Sequence, residues 1–195
     1  MTRGRPLAFS PDQAIAQAMQ VFWAQGYNSA STRDLLVAMQ ISRSSLYQAF
    51  GNKEQLFLEA LHRYRDNLVA RLERKLTASP SALTFIEGLF RDTARDACSE
   101  RAALGCLIFN SASELGQRGD VPSREAAVAV AAIKQLFHQA VLQAQAEGDI
   151  DANRDAAMLA NYLTLSMAGL RTLLKSGASA EDAGGAVEQV LIGLR

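Results

Sequence analysis

The sequence predicts an all-α protein, and three observations carry that expectation. Apolar residues recur at three-to-four spacing along most of the 195 residues. The 13 glycines stand mostly between those periodic segments, and only 4 prolines occur. The alternating Val/Ile/Thr runs that mark strands are missing. A composition of 49% apolar and 21% charged residues is that of an ordinary globular chain, which excludes collagen-like, disordered and low-complexity classes. No apolar run approaches the roughly 18 residues of a membrane span.

The helices follow in chain order. Ser10-Pro11-Asp12-Gln13 opens the first: Ser10 caps it, Pro11 suits the first helical position, and Gln13 completes a capping box. Its stripe is Ile15, Ala18, Met19 and Phe22, and Gly26 ends it. Ser31-Thr32 caps a helix over 32–39 with Leu35, Leu36 and Met39 inward, and Ser42 caps one over 43–49 with Leu46 and Phe50 inward. Gly51-Asn52 interrupts the chain before a longer helix over 53–76, and Ser79-Pro80-Ser81 forms the loop between head and body. Five further helices are expected over 81–98, 101–115, 122–147, 152–175 and 180–194, with joints near Gly116, Gly119, Gly148 and Gly177. Pro122 sits at or near a helix start, while Asp155 in a first turn and Lys175 in a last turn complement the helix dipole. The total is nine helical segments.

Charge is balanced overall, with 20 basic and 20 acidic residues, but not evenly spread. Residues 1–53 carry a net +3 and the remainder −3, a basic head on an acidic body that suits a polyanionic partner at one end. Cys98 and Cys106 are too few for a disulfide framework, and on one continuous helix they would lie about 12 Å apart, too far to bond. A helix break near Ser99-Glu100 relaxes that exclusion. The opening Met-Thr-Arg-Gly-Arg-Pro lacks the apolar stretch of a secretory signal, so a cytoplasmic location is expected. His62 and His138 stand alone in the sequence, and neither zinc-ligand spacing nor a phosphate-binding glycine loop is present. No metal, no cofactor and no enzymatic activity are expected.

Two short helices joined by a tight turn, after a longer one, match a helix-turn-helix unit. In that motif the second short helix enters the major groove. Leu46 anchors this segment, leaving Ser42, Arg43, Ser44, Ser45, Tyr47 and Gln48 to donate hydrogen bonds. Arginine grips guanine bidentately and glutamine does the same for adenine. Thr32 and Arg33 open the preceding helix and Lys53 the following one, so helix-start amides and a nearby cation offer phosphate contacts.

The run Phe22, Gly26, Thr32, Ile41-Ser42, Leu46-Tyr47, Phe50, Lys53-Glu54 and Leu56-Phe57 resembles the DNA-binding head of the TetR family. The leading Arg3-Gly4-Arg5-Pro6 resembles the basic arm of many members. Gln40 departs from the pattern, occupying a turn position usually held by glycine, and must take a left-handed or strained backbone there. The resemblance implies a TetR-like fold, with a helix-turn-helix head over 1–54, a connecting helix over 53–76 and an effector-sensing, dimerising body over 77–195. It implies a homodimeric repressor that binds a palindromic double-stranded DNA operator and is released by a small-molecule or electrophile effector.

The body is compatible with that expectation. Residues 158–170 are apolar or small nearly all round, with Ala160, Ser166, Ala168 and Gly169 permitting close helix approach, and the last helix adds Ala186, Val187, Val190 and Leu191. Gly105-Cys106-Leu107 resembles a branch of these repressors in which a thiol responds to electrophiles, aldehydes and oxidants. Such a thiol needs a depressed pKa and access, and Arg101 is one candidate cation; Lys175 is another, being one of only two cations, with Arg171, on the otherwise apolar 156–175 helix. Two readings of Cys106 stand side by side: a reactive sensor, or a small buried hydrophobe beside a reversible pocket for an apolar ligand.

Overall fold

The computed structural model describes residues 9–194, so the Arg3–Arg5 arm lies outside the described residues. Among those residues the fold is all helix: α1 (Pro11–Gln25), α2 (Thr32–Met39), α3 (Arg43–Phe50), α4 (Lys53–Ala78), α5 (Ala82–Arg95), a 3-10 turn (Asp96–Cys98), α6 (Glu100–Leu104), α7 (Leu107–Leu115), α8 (Val121–Glu147), α9 (Ala156–Lys175) and α10 (Ala180–Ile192). No helix among the described residues is long and apolar enough to cross a membrane.

Cap chemistry sets the limits of the head. Ser10 accepts from the Gln13 N–H at 3.4 Å, without the reciprocal bond of a capping box. The full box belongs to α2, where Ser31 accepts from the Asp34 N–H and the Asp34 carboxylate accepts from the Ser31 N–H. Those bonds from Ser31 hold the Asp34 carboxyl below its ordinary range. Gln40 closes α2 at φ 55°, ψ 40°, the one non-glycine residue with positive φ among those described. Gly51 ends α3 and Asn52 caps α4. Phe22 from α1 meets Phe57 from α4 edge-on at 5.2 Å, and Leu35 and Leu46 complete the buried centre of the head.

In the body, α8 packs against α4, α5, α7 and α9, and α10 against α5 and α9. Four departures from the sequence reading matter. The segment 81–98 stops as an α-helix at Arg95 and tightens into a 3-10 turn. The segment 101–115 is two helices, because Gly105 takes φ 71° and Cys106 φ −118°, ψ 122°; taken as one interrupted segment, it leaves the expected nine. The helix expected from 152 begins at Ala156, with Asp155 as its cap rather than in its first turn, accepting from the Ala157 and Met158 N–H groups. Ahead of it, the Asp151 carboxylate turns the chain by accepting from the Asn153 N–H at 2.9 Å.

The fourth departure concerns the apolar faces. Val187 and Leu191 are buried within the protomer with Ala183, and so is Ala160, so none of them is available to a second copy. The outward large apolar residues are Met158 (62% exposed), Leu165 (73%) and Leu173 (38%) on α9, with Ile192 (62%) on α10.

Candidate nucleic-acid interface and sensor cavity

The recognition segment presents its polar groups outward. Leu46 is buried, while Ser42, Arg43, Ser44, Tyr47 and Gln48 are exposed and Ser45 is half-buried. Ser42 is the N-cap of α3: its hydroxyl accepts from the Ser45 N–H at 3.1 Å and shares hydrogen bonds with the Ser44 and Ser45 hydroxyls, each at 2.9 Å. These three serines therefore form one cluster of hydroxyls at the start of the helix, where unpaired backbone N–H groups favour an anion. Arg43 lies 5.7 Å from the centre of the Tyr47 ring, one turn further on, and this contact holds the arginine along the exposed face.

The flanking positions differ from one another. Arg33 is exposed in the first turn of α2 and Thr32 is half-buried beside it. Lys53 is less free than its sequence position suggests. Its ammonium donates to the Asn28 carbonyl at 3.3 Å and sits 4.9 Å from the Tyr27 ring centre. Burial pulls its pKa below the ordinary lysine value, partly offset by Glu114.

Glu114 is a residue that sequence reading missed. It lies near the end of α7 in the body, yet its carboxylate accepts from the Tyr27 N–H at 2.8 Å and the Asn28 N–H at 2.7 Å, in the loop between α1 and α2. Arg118 donates to the Asn28 side chain at 3.2 Å. Gly26 leaves room for this clamp, since a Cβ there would lie 2.6 Å from a Glu114 carboxylate oxygen. One carboxylate at one end of a nine-residue helix thus holds the α1–α2 loop of the head to the body, with Arg118 beside it.

At the opposite end of that helix stands Cys106. It is the N-cap of α7, only 5% exposed, and its sulfur accepts from the Tyr64 hydroxyl at 3.7 Å. Burial foremost, then Cys106, pushes the Tyr64 hydroxyl pKa far above its ordinary value, so Tyr64 stays a neutral donor. Cys106 borders a cavity of about 50 Å³ that Leu68, Phe109, Ile133, Phe137 and Met167 line on its apolar side. Lys175 lies close by: a Cβ on Gly105 would meet its Cδ at 3.1 Å, so its aliphatic stem crosses the backbone just before the cysteine. Arg101 stacks over Trp23 at 5.6 Å and borders the cavity with Arg171.

The remaining candidates divide plainly. Cys98 is exposed on the 3-10 turn and Cys106 buried, and both thiols are free. His62 is not isolated, because its Nε2 lies 2.9 Å from a Glu125 carboxylate oxygen. His138 is half-buried on α8 beside Phe137, and among the described residues no group of three or more His, Cys, Asp or Glu side chains is placed to hold a metal.

Comparison with known proteins agrees with this arrangement. Residues 14–60 match the family described as bacterial regulatory proteins, tetR family, and residues 82–189 match the tetracyclin repressor-like C-terminal domain. The HTH-type transcriptional repressor ComR of Escherichia coli K12 is 32% identical over 186 residues, covering 92% of this chain and 86% of ComR. The HTH-type transcriptional regulator YezE of Bacillus subtilis 168 is 29% identical over 173 residues, covering 88% and 89%. Among solved structures, a cysteine mutant of the TetR family transcriptional regulator CifR, complexed with 26bp double-strand operator DNA, superposes with a TM-score of 0.86 at 32% identity, covering 98% of this chain and all of that one.

Proposed function

The chain belongs to the TetR family of bacterial regulatory proteins, and from that premise we propose that it is a DNA-binding transcriptional repressor released from a palindromic operator by a reactive electrophile, aldehyde or oxidant acting on Cys106. In this reading residues 1–54 are the DNA-binding head, α4 is the connector and residues 77–195 are the sensing and dimerising body. Two copies pair through the outward face of α9, where Met158 and Leu165 stand exposed, and present two α3 helices to half-sites about 34–36 Å apart or a multiple of that spacing. Arg43, Ser44, Tyr47 and Gln48 read base edges; Thr32, Arg33, Ser42, Ser45 and Lys53 hold phosphates. Operator-bound structures of the relative CifR, 32% identical, support the DNA partner.

The observation that carries the release mechanism is the position of one short helix. Cys106 caps the start of α7 inside the cavity, and Glu114 near its end holds the loop that enters α2. Addition of the thiol sulfur to an electrophilic C=C or C=O carbon, whose π-electron pair takes up the thiol proton, or two-electron oxidation to sulfenic acid by hypochlorite, which gives up its oxygen and leaves as chloride, enlarges the side chain in a cavity of about 50 Å³. A helix cap that no longer fits shifts its helix, and the shift reaches the head through Glu114. Lys175, whose stem crosses Gly105, is the sensor cation in this reading, although it borders a neighbouring cleft rather than the cavity that holds Cys106.

The experiment is an operator-shift assay with wild type and Cys106→Ser. The serine variant binds the operator as wild type does and no longer releases it when treated with N-ethylmaleimide, hypochlorite or a reactive aldehyde. A variant that releases DNA like wild type removes the thiol from the mechanism. The second reading, a reversible apolar ligand, is favoured by the Leu68, Ile133, Phe137 and Met167 lining. It predicts release that is undone by dialysis and unaffected by Cys106→Ser.

A further inference from the structure

Arg71 from α4, Arg101 from α6 and Arg171 from α9 border the same cavity as Cys106, and no Asp or Glu lines it. Several other arginines find carboxylates: Arg63 pairs with Asp12, Arg65 with Asp66, Arg91 with Glu87 and Glu188, Arg95 with Asp92, and Arg118 with Asp120. Among the described residues, Arg71 and Arg101 have neither an ion pair nor a hydrogen bond, and Arg171 has a single long contact of 3.5 Å to the Thr93 hydroxyl. Acids do share the adjoining clefts with these arginines, Asp92 and Asp96 in one and Glu100 in another, but none of them lines the cavity or forms an ion pair with the three; Asp92 pairs with Lys75 at 3.5 Å and Arg95 at 3.4 Å.

Bringing three guanidinium groups together without a counter-charge is unfavourable unless something else supplies it. Burial foremost, then the positive charge of Arg101, holds Arg71 below its ordinary pKa. Tyr64 adds a neutral hydroxyl donor facing the sulfur. Trp23, which lines an adjoining cleft with Arg71 and Arg101 and is 7% exposed, carries an indole N–H without an acceptor. That cleft, of about 440 Å³, gives Arg71 and Arg101 a route to solvent. The wall is rich in donors and cations and holds no acceptor charge, whereas the opposite wall is Leu68, Ile133, Phe137 and Met167.

We propose that Arg71, Arg101 and Arg171 make this cavity a recognition site for a small organic carboxylate, its charged end held by the guanidinium groups and its carbon end reaching Cys106. The inference rests on the reading of Cys106 as the sensing thiol and names the chemical class of what reaches it. At about 50 Å³ the enclosed space takes a carboxylate of only a few carbon atoms.

The test needs no DNA. Full-length protein is treated in parallel with iodoacetate and iodoacetamide, which differ in charge and little in size, and alkylation of each cysteine is followed by mass spectrometry. In both reactions the thiol sulfur bonds to the reagent carbon, iodide leaves with the electron pair and the thiol proton passes to buffer. Exposed Cys98 serves as internal reference. The iodoacetate-to-iodoacetamide rate ratio at Cys106 is expected to exceed that at Cys98 by about tenfold and to shrink in high salt. In Arg101→Gln and Arg171→Gln it should fall to within about twofold of the reference, with helical content unchanged; because both reagents react with the thiolate, the ratio cancels any change in its fraction.

Equal ratios at the two cysteines, ratios indifferent to the arginine substitutions, or failure of both reagents to reach Cys106 would each overturn the carboxylate site. Operator release by iodoacetamide alongside equal ratios leaves the thiol mechanism standing without the anion site. A raised ratio in a modified protein that stays on DNA supports the anion site and removes the thiol trigger.

Discussion

Substituting Glu114 by alanine should loosen the α1–α2 loop from the body without unfolding head or body. Its carboxylate receives two backbone N–H groups, at 2.8 and 2.7 Å. Hydrogen bonds to a charged acceptor contribute about 1.5–3 kcal/mol each when the donor is left unsatisfied. The Asn28 N–H is exposed and regains water, so most of the loss comes from the part-buried Tyr27 N–H. The expected cost is about 2 kcal/mol, which is roughly a 30-fold shift in the local opening equilibrium. Hydrogen exchange followed by mass spectrometry reads it directly: the Tyr27 amide should exchange about 30-fold faster, while α8 and α9 amides stay protected. Glu114→Gln keeps an acceptor oxygen and should show only about a fivefold increase. Gly26→Ala should resemble the alanine variant, because its Cβ would displace the carboxylate at 2.6 Å and because φ 84° with ψ 169° is a nearly glycine-only region costing a further 1–3 kcal/mol or so. If the Tyr27 amide exchanged at the wild-type rate in Glu114→Ala, the carboxylate clamp would not be the joint between body and head.

Other substitutions probe the remaining parts. Tyr47→Ala and Arg43→Ala should each weaken operator binding by about 1–3 kcal/mol with dimer and helical content intact, and Arg33→Ala should weaken all DNA about equally and lower the salt slope by about one; electrophoretic shifts over a salt series check both. Leu165→Glu puts a charge on the most exposed apolar residue of α9 and should give monomers in analytical ultracentrifugation, where a surviving dimer would place the interface elsewhere. For pH, the Asp34 carboxyl is held low in the fold by Ser31, so its share of stability is present above the unfolded carboxylate value of about 3.9 and disappears as pH falls through the lower folded value. The Tm difference between wild type and Asp34→Ala should therefore be steady from neutral pH to about 5 and shrink below about 4; a difference that grew on acidification would refute the cap's role.

The head was legible because its limits are written in local chemistry. Ser31 and Ser42 cap within three residues of themselves and Gly26 and Gly51 stop helices where they stand, while the left-handed Gln40 was legible only through the resemblance, which puts a glycine at that turn. The body was less legible for equally physical reasons. Gly105 looked like one tolerated glycine in a periodic run, and only the fold shows it turning the chain so that Cys106 becomes a cap. Val187 and Leu191 are as apolar as Leu165, and periodicity cannot say which face a helix turns to its own core. Glu114 sits 87 residues from the amide it holds at Tyr27. The arginine cluster likewise draws on α4, α6 and α9, and no sequence window contains such contacts.

The most direct measurement of the central claim is selection of double-stranded DNA from a random pool by the purified protein, with and without prior oxidation, followed by sequencing of what is retained. Reduced wild-type protein should enrich a two-fold symmetric site, with Arg43→Ala and Gln48→Ala each relaxing one base position in both halves. Oxidised protein should retain nothing. A pool that shows no enrichment, or an asymmetric site insensitive to residues 43–48, would contradict the assignment of α3 as the reading helix of a paired repressor.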